Sequence, residues 1–528
     1  MTGDPMTGEP TSGAPTSRDP MTGHPMTGDR ERWAAAVVVC LGLFLLGMDL
    51  TVLNVAVPDL QRDLHPTMAQ VQWIVDAYAL VLGGLVLTAG ALTDRVGRRR
   101  AFMIGLAVCG TASALGALAE EPGTVIAARC GMGAGAALLM PATLSIIGSL
   151  FTEPSARRRA IALWAAVLGL GGMAGPVLGG ALVEGFSWRA GFWVNVPVVA
   201  VTLVLAGLVV PGALPGGVGG PGGGGGGGGG SCGAGGERVD IPGAMLSAGG
   251  LLTLVWAVIE SPVNGWTSIP VIAGFALATA LLIAFVGHER RRAGHAMLPL
   301  PLLRLPGVVR GAVSLALLSF AMYGALFVIT LYLQGVLGYT PWQAGVRTLP
   351  LAAALAVGSL AAPRVLARHD ERTPIAAGLA LVTVAFAVLA HTRATSGYGH
   401  LLLFEVVAGA GAGLVAAAGT ESVMGAVPLC RAGLGSAVND ATRQVGAALG
   451  VAVQGSVLST VVTDRLGPVA SAATPTAVLP PTPAARQAFV DGLTATAVTA
   501  GAVTLAAALA VIPWRSVLPQ GAESREEL

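Results

Sequence analysis

The sequence predicts an all-α integral membrane protein with about fourteen transmembrane helices. Hydrophobic residues make up 54% of the 528 residues and charged residues only 11%, whereas soluble domains carry about 25% charged residues. The mean hydropathy is +0.73. From Trp33 onward, apolar segments of the length that a bilayer requires, about 20 residues, alternate with short polar loops. These observations indicate that lipid is the solvent of most of the chain.

The chain begins with a repeat. Residues 1–29 consist of five-residue units such as MTGDP and MTGEP, most of them closed by proline. A segment so poor in apolar residues forms no core, so this tail is expected to be disordered. Translation starts at Met6, Met21 or Met26 are the alternative interpretation. No cleavable signal peptide is predicted, because no processing site follows the first apolar run.

Fourteen apolar segments are predicted after this tail. They lie at residues 33–57, 71–92, 101–119, 123–150, 160–183, 191–213, 241–260, 268–287, 308–334, 344–363, 373–391, 400–427, 432–462 and 489–513. Arginine predicts their orientation, because cytoplasmic loops carry an excess of positive charge. The arginine clusters precede the first segment and follow segments 2, 4, 8, 10 and 14, at residues 30–32, 95–100, 157–159, 290–292, 364–372 and 515. With fourteen alternating segments all of them fall on one side, so both termini are predicted to be cytoplasmic.

Several function classes are excluded by what the chain lacks. All 30 basic residues are arginine, and without lysine no P-loop nucleotide site is possible, because that loop needs a lysine at the phosphates. The arginine bias is also typical of GC-rich bacterial genomes and indicates a bacterial cytoplasmic membrane. The five cysteines form no CxxC pair, so neither a disulfide framework nor a zinc site is predicted. No cofactor, metal or nucleic-acid partner is expected.

The first chemical motif is GALTDRVGRRR at residues 90–100, where the second segment ends. It resembles the loop signature between helices 2 and 3 of the major facilitator superfamily, and the matching residues are Gly90, Asp94, Arg95, Gly97 and Arg98. Gly90 and Gly97 suit close approach and a tight turn. The resemblance implies that Asp94 meets the positive end of segment 13 at Gly433 and latches the outward-facing state. The alternative is a solvated cluster that only sets topology.

Three charged residues inside spans predict proton chemistry. GMDLTVLNVAVPDL, residues 47–60, resembles the helix 1 motif of the fourteen-helix drug:proton antiporters of the EmrB/QacA type, and Asp49, Thr51, Asn54 and Pro58 match it. QWIVDAYAL continues the likeness with Asp76, and IAARCGMGAGAA contains the matching Arg129, with Met132 where the family usually has glutamine.

Counted along their helices, Asp49, Asp76 and Arg129 lie at similar depth. Charged residues within spans are costly and need a reason. A carboxylate that is both desolvated and close to a cation is able to exchange a proton, so these three are predicted to couple transport to protons. The alternatives are a static ion pair, or an Asp76 that only reaches the interface.

The stretch GLGGMAGPVLGG, residues 169–180, resembles the antiporter motif of helix 5. Small residues at four-residue spacing let helices approach closely in lipid, and Pro176 leaves the carbonyl of Gly172 without its helical partner. The motif residues are Gly171, Gly175, Pro176, Gly179 and Gly180. They are expected to face the other half across a central cavity, and ordinary tight packing is the alternative. The following link SWRAGFWVNVP also matches the family and predicts Trp188 and Trp193 at the outer interface.

The C-terminal half repeats these motifs more weakly. AGLGSAVNDATRQVGAALG, residues 432–450, resembles the helix 13 motif through Asn439 and Arg443. Asp440 and Arg443 are spaced to pair with each other. Glu405, toward the outer end of segment 12, is a candidate second acidic site for a cationic substrate.

The resemblance implies the fold and the domain organisation. The predicted units are a disordered tail (1–29), a six-helix bundle (30–213), a glycine-rich cytoplasmic linker (214–239), two inserted helices (240–290), a second six-helix bundle (291–515) and a cytoplasmic tail (516–528).

The implied function is a proton-driven exporter of small hydrophobic or cationic organic compounds, by alternating access. Such a carrier would be a multidrug or antibiotic efflux protein with small molecules, protons and lipid as its partners, acting as a monomer. The alternatives are a symporter or a lipid or peptide exporter on the same fold. A membrane enzyme would need clustered catalytic groups, whereas the seven histidines lie in the tail, in loops and at segment ends.

Overall fold

A computed structural model of the protein describes residues 28–151, 153–211, 240–292, 304–427, 432–467 and 482–511. Most of the expected N-terminal tail, the glycine-rich linker and the C-terminal tail lie outside the described residues. The helices are α1 Asp29–Asp49, α2 Val52–Leu64, α3 Met68–Val96, α4 Arg98–Ala117, α5 Pro122–Leu150, α6 Pro154–Gly185, α7 Ala190–Trp193, α8 Asn195–Val209, α9 Ile241–Asn264, α10 Ile269–Arg291, α11 Pro306–Leu331, α12 Pro341–Arg347, α13 Leu349–Leu366, α14 Arg372–Ala390, α15 Tyr398–Ala426, α16 Ala432–Leu466 and α17 Pro483–Val511. A π-helical turn, Tyr332–Val336, follows α11.

The predicted number of spans is confirmed. Within the described residues, 14 helical segments are long and apolar enough to cross a membrane. Three spans expected as single helices are interrupted within the described residues, the first at Leu50 and Thr51, the sixth at Val194 and the tenth at Thr348. Together α1 and α2 are about 50 Å long, against about 30 Å for the hydrocarbon core of a bilayer. The polar last turns of α2, with Asp59 and Asp63, therefore lie outside that core.

Two separate apolar cores correspond to two helical bundles. One core is built from residues of α1 to α8, and the other consists largely of residues from α11 to α17. Between the bundles in sequence, α9 and α10 pack on each other, and α9 also packs on α3 and α16. The inserted pair therefore lies against the boundary between the two halves.

The inserted helices are tied together at the end that carries the arginine clusters. Asp240 caps α9 by accepting a hydrogen bond from the N–H of Gly243 at 3.1 Å. Its carboxylate also meets Nε2 of His288 at 2.9 Å and Nη1 of Arg292 at 3.3 Å. Burial acts to raise the pKa of Asp240, but the hydrogen bonds from His288 and Gly243 and the nearby charge of Arg292 together hold the pKa below its usual value.

The link between α6 and α8 is anchored on α2. The Trp188 N–H donates to Oδ2 of Asp59 at 3.0 Å, and its indole N–H donates to Oδ2 of Asp63 at 2.8 Å. Arg189 forms an ion pair with the same Asp63 carboxylate. Trp188 is therefore buried (1% exposed) although it bonds to the part of α2 outside the hydrocarbon core, whereas Trp193 is 45% exposed. Local contacts to α2, which hydropathy does not reveal, account for the difference.

Candidate functional site

A cavity of about 970 Å³ lies between the two bundles. The first bundle lines it with α1, α5 and α6, and the second with α11, α13, α15 and α16. The cavity extends to the arginine-rich end of the molecule, where Arg98 and Arg157 line it. Its volume falls in the range of sites for small organic molecules, about 300–1,000 Å³.

The two walls of the cavity differ in chemistry. The wall from the first bundle is mostly apolar, and α16 supplies a polar strip on the opposite wall. The apolar side chains include Met140, Leu144, Ile161, Trp164, Leu168 and Met173, and the polar strip is Ser436, Asn439, Asp440, Arg443 and Gln444. The strip residues are spaced i, i+3, i+4, i+7 and i+8, which places them on one face of the helix. An amphipathic molecule matches such a pair of walls.

The expected pairing of Asp440 with Arg443 is wrong. No ion pair within 4.0 Å joins them among the described residues. Asp440 instead accepts a hydrogen bond from Nδ2 of Asn439 at 3.4 Å, and Oδ1 of Asn439 accepts one from Thr420 at 3.3 Å. The carboxylate and the guanidinium therefore both remain at the cavity surface.

The end opposite the arginine clusters is closed by contacts between α6 and α12. A Cβ added at Gly180 would lie 2.5 Å from the carbonyl oxygen of Pro341, and one added at Gly345 would lie 2.8 Å from the carbonyl carbon of Pro176. Nearby, Nε2 of Gln334 donates to the carbonyl of Val55 at 3.0 Å. The cavity is thus open toward one end of the molecule and shut at the other.

Arg129 is 2% exposed and binds main-chain carbonyls. Its Nε donates to Ile74 at 3.0 Å, one terminal nitrogen donates to the carbonyl of Asp49 at 3.1 Å, and the other donates to Val75 at 3.5 Å. Because α1 ends at Asp49, this carbonyl is among those left without a helical partner. The ring of Tyr78 lies 4.5 Å below the guanidinium. Arg129 therefore joins α5 to the break in the first span and to α3.

The carboxylate of Asp49 is held by a residue that sequence reasoning missed. Nδ2 of Asn195 donates to Oδ1 of Asp49 at 2.8 Å and lies 3.0 Å from Oγ of Ser113. Asp49 and Asn195 are each 1% exposed. The signal was present in the sequence, because Asn195 is the asparagine of SWRAGFWVNVP, but only the fold brings that motif to α1.

Asp76 borders a small hollow beside the main cavity. The hollow has a volume of about 10 Å³ and is lined by Asn54, Asp76, Arg129 and Tyr323, among others. Among the described residues, Oδ2 of Asp76 and Oδ1 of Asn54 are buried without a hydrogen-bond partner. Because buried polar atoms are normally hydrogen-bonded, these two oxygen atoms would be satisfied by a hydrogen-bond donor, such as a proton on Asp76. The fold thus gathers the three predicted charges, Asp49, Asp76 and Arg129, into one buried cluster.

Comparison with known proteins identifies this arrangement. Residues 39–451 match the family described as the Major Facilitator Superfamily. The chain belongs to the Major Facilitator Superfamily. It is 36% identical over 439 residues to the puromycin resistance protein pur8 of Streptomyces alboniger, covering 81% of this chain and 82% of that one. It is 31% identical over 519 residues to the tetracenomycin C resistance and export protein of Streptomyces glaucescens, covering 92% of each.

The fold comparison agrees with the family. A bacterial homolog of the human lysosomal transporter Spinster, solved in an inward-facing and unoccupied conformation, superposes with a TM-score of 0.66 at 17% identity. The match covers 92% of this chain and 97% of that one. Family and relatives together show a multi-pass membrane transporter rather than an enzyme.

The antiporter motif of this superfamily member divides into two stripes. A Cβ at Gly171 or Gly179 would press on the backbone of the first span, with its closest contacts at Phe44 and Val52, and Gly175 packs there too. That stripe therefore does not face the other half as expected, because α1 and α2 occupy its side of α6. The second stripe does: Gly172 and Pro176 line the cavity, and Pro176 and Gly180 meet α12.

Glu405 lies outside the cavity of the described structure. It is 1% exposed and accepts a hydrogen bond from the Tyr398 hydroxyl at 3.3 Å. It lies two turns, about 10 Å, beyond Ala412, the α15 cavity residue nearest to it in sequence. The lining carboxylate of this half is Asp440, which the sequence indicated only as a partner of Arg443.

The loop motif after α3 is described in part. Gly97 has φ 95°, a conformation that favours glycine, and forms the expected tight turn between α3 and α4. Gly90 approaches α5, since a Cβ there would lie 4.0 Å from Pro141. Arg95 is exposed and Arg98 lines the cavity. The Asp94 side chain and the surroundings of Gly433 lie outside the described residues, so the latch stays a prediction.

Proposed function

We propose that this protein exports amphipathic small molecules from the bacterial cytoplasm in exchange for protons. The observation that carries the proposal is a cavity open at one end and shut at the other, with buried Asp49, Asp76 and Arg129 beside it. The positive-inside rule assigns the arginine-rich end to the cytoplasm, so the described state is open inward and both termini are cytoplasmic. The functions that name these relatives, resistance to puromycin and export of tetracenomycin C, support antibiotics as the substrate class.

The coupling site lies at the junction of α1, α5, α8 and, through the bond of Arg129 to Ile74, α3. Asp49 terminates α1, its side chain is bonded to α8, and its carbonyl is bonded through Arg129 to α5. A proton that neutralises Asp49 weakens the charge-assisted hydrogen bond from Asn195. In this proposal a proton binds at Asp49 and the substrate binds at the polar strip of α16 in alternation, so that the proton gradient drives export. The carrier works as a monomer without a cofactor.

The test is export from proteoliposomes under an imposed pH gradient, with puromycin and the cationic dye ethidium as probes. We expect Asp49→Asn, which keeps the shape and removes the charge, to reduce gradient-driven export to the level of empty liposomes. Glu421→Gln is the matched control, because Glu421 is an exposed carboxylate outside the cavity. Gradient-driven export that persists at the wild-type rate in Asp49→Asn contradicts proton coupling at this residue.

A further inference from the structure

Pro176 removes the helical hydrogen-bond partner of a main-chain carbonyl inside the membrane. Proline has no N–H, so the carbonyl of Gly172, four residues earlier, loses its helical hydrogen bond. The helix nevertheless continues through Pro176 as α6. The hydroxyl of Thr51 donates to the Gly172 carbonyl at 2.9 Å and so replaces the missing N–H. In lipid such replacement is what allows a proline within a span.

Thr51 lies at the break in the first span. Its φ of −128° and ψ of −22° separate α1 from α2. Its N–H donates to Met48 at 3.0 Å, and its carbonyl accepts from the N–H of Asn54 at 3.2 Å. Thr51 is 7% exposed. The break is thus a hydrogen-bonded turn with a fixed position rather than a loose hinge.

The residues before and after the start of this turn contact different parts of the protein, the Asp49 cluster on one side and α6 on the other. Two residues before Thr51, Asp49 is bonded to Asn195 and Arg129. Thr51 itself is bonded to the Gly172 carbonyl of α6. Four residues later on α6, the Pro176 carbonyl packs against Gly345 of α12 at the closed end. That contact has no clearance for a methyl group. Packed interfaces of this kind switch between discrete arrangements rather than deforming continuously.

We propose that Thr51 is the positioning residue through which the protonation state of Asp49 controls the contact between α6 and α12. The proposal rests on the proposed function, because it requires proton exchange at Asp49. A shift of the Met48–Thr51 turn, when Asp49 changes its bond to Asn195, is transmitted by the hydroxyl to the Gly172 carbonyl. From there α6 carries it to the closed end.

The test compares Thr51→Val, which keeps the shape without the hydroxyl, with Thr51→Ser, which keeps the hydroxyl. Thr202→Val is the matched control, because the Thr202 hydroxyl is also buried but donates to its own helix at Val198. The readouts are gradient-driven puromycin export, puromycin counterflow at equal pH, and the pH response of spin-label distances across the closed end.

We expect Thr51→Val to lower gradient-driven export about tenfold, the scale of one buried hydrogen bond, and to abolish the pH response of the distances. Counterflow at equal pH should stay within about threefold of wild type, and Thr51→Ser should restore both lost properties. A Thr51→Val protein that keeps the pH response overturns the proposal. So does a proportional loss of export and counterflow, which is the signature of a purely structural role.

Pro176→Ala supplies a second variant, since it returns an N–H to the Gly172 carbonyl. In that background Thr51→Val should have little further effect, even where the single variant folds poorly. An equal effect in both backgrounds refutes the link through Gly172. Asp49→Asn separates this inference from the proposed function. If the Asp49→Asn protein keeps proton-driven export, the proposed function is wrong. If Asp49→Asn abolishes proton-driven export but Thr51→Val behaves as wild type, only the inference about Thr51 is wrong.

Discussion

Gly175→Ala adds one methyl group where α6 touches the first span. A Cβ at Gly175 would lie 2.9 Å from the Met48 carbonyl oxygen and 3.1 Å from the Val52 nitrogen, and closer still to the Thr51 hydroxyl. Two of these neighbours are backbone atoms, which cannot rotate away. Three residues earlier on the same helix, a Cβ at Gly172 would have Gly47 as its nearest neighbour, at 3.9 Å. The main difference between the two alanine substitutions is therefore the space available to the new methyl group.

The magnitude follows from two opposing effects. Replacing glycine by alanine inside a helix gains about 1 kcal/mol at either site. Forcing a methyl group into a packed contact costs about 1–3 kcal/mol, and this cost applies only at Gly175. Gly175→Ala should accordingly unfold with a free energy about 1–3 kcal/mol lower than that of Gly172→Ala.

The assay is thermal unfolding of the purified variants in one detergent, with Gly169→Ala as a second control because nothing lies within 4 Å of a Cβ there. The larger change Gly175→Leu should lower expression and transport together, since Gly175 packs within its own bundle. A Gly175→Ala protein that melts at or above Gly172→Ala refutes the steric reasoning. A well-folded but inactive Gly175→Leu would instead favour a sliding surface at this stripe.

Two further predictions concern the closed end and the link on α2. Gly345→Ala should disfavour the contact with Pro176 by about 1–3 kcal/mol, a shift of about 5- to 150-fold toward an open outer end, and unchanged spin-label distances across that end would count against it. The hydrogen bond from the Trp188 indole, followed by Arg189, lowers the pKa of Asp63, so its ionised form stabilises the fold above its unfolded pKa. Asp63→Asn should therefore melt below wild type at neutral pH, with the gap narrowing below about pH 4; a gap independent of pH contradicts this.

Hydropathy and arginine placement were sufficient to predict the fourteen spans, because each span must supply about 20 apolar residues whatever its neighbours are. The break at Thr51 was not predictable in this way. It depends on Arg129, 80 positions from Asp49 in sequence, and on the Gly172 carbonyl of α6. Helix propensity and hydropathy depend on neighbouring residues in the sequence, so they do not reveal partners that are this distant.

In the candidate site, too, some features were predictable from the sequence and others were not. Depth counted along helices brought Asp49, Asp76 and Arg129 together correctly, because parallel spans share one length scale. Which face of a helix meets the cavity was harder to predict, since each residue turns the helix by about 100°. Asp440 lines the cavity and Glu405 lies outside it, a difference that the sequence did not predict for this reason.

The two stripes of α6 limit where this carrier can move. Gly171, Gly175 and Gly179 hold α6 against the first span at backbone distance, and the Thr51 hydroxyl adds a hydrogen bond across the same contact. Separating these helices would leave the Gly172 carbonyl without a hydrogen-bond partner inside the membrane, which costs several kcal/mol. In the proposed transport cycle we therefore expect the first span and α6 to move as one body and the closed end to open at the seam between α6 and α12. Because Asp49 lies on that body, the proposed protonation of Asp49 would act on the part that moves.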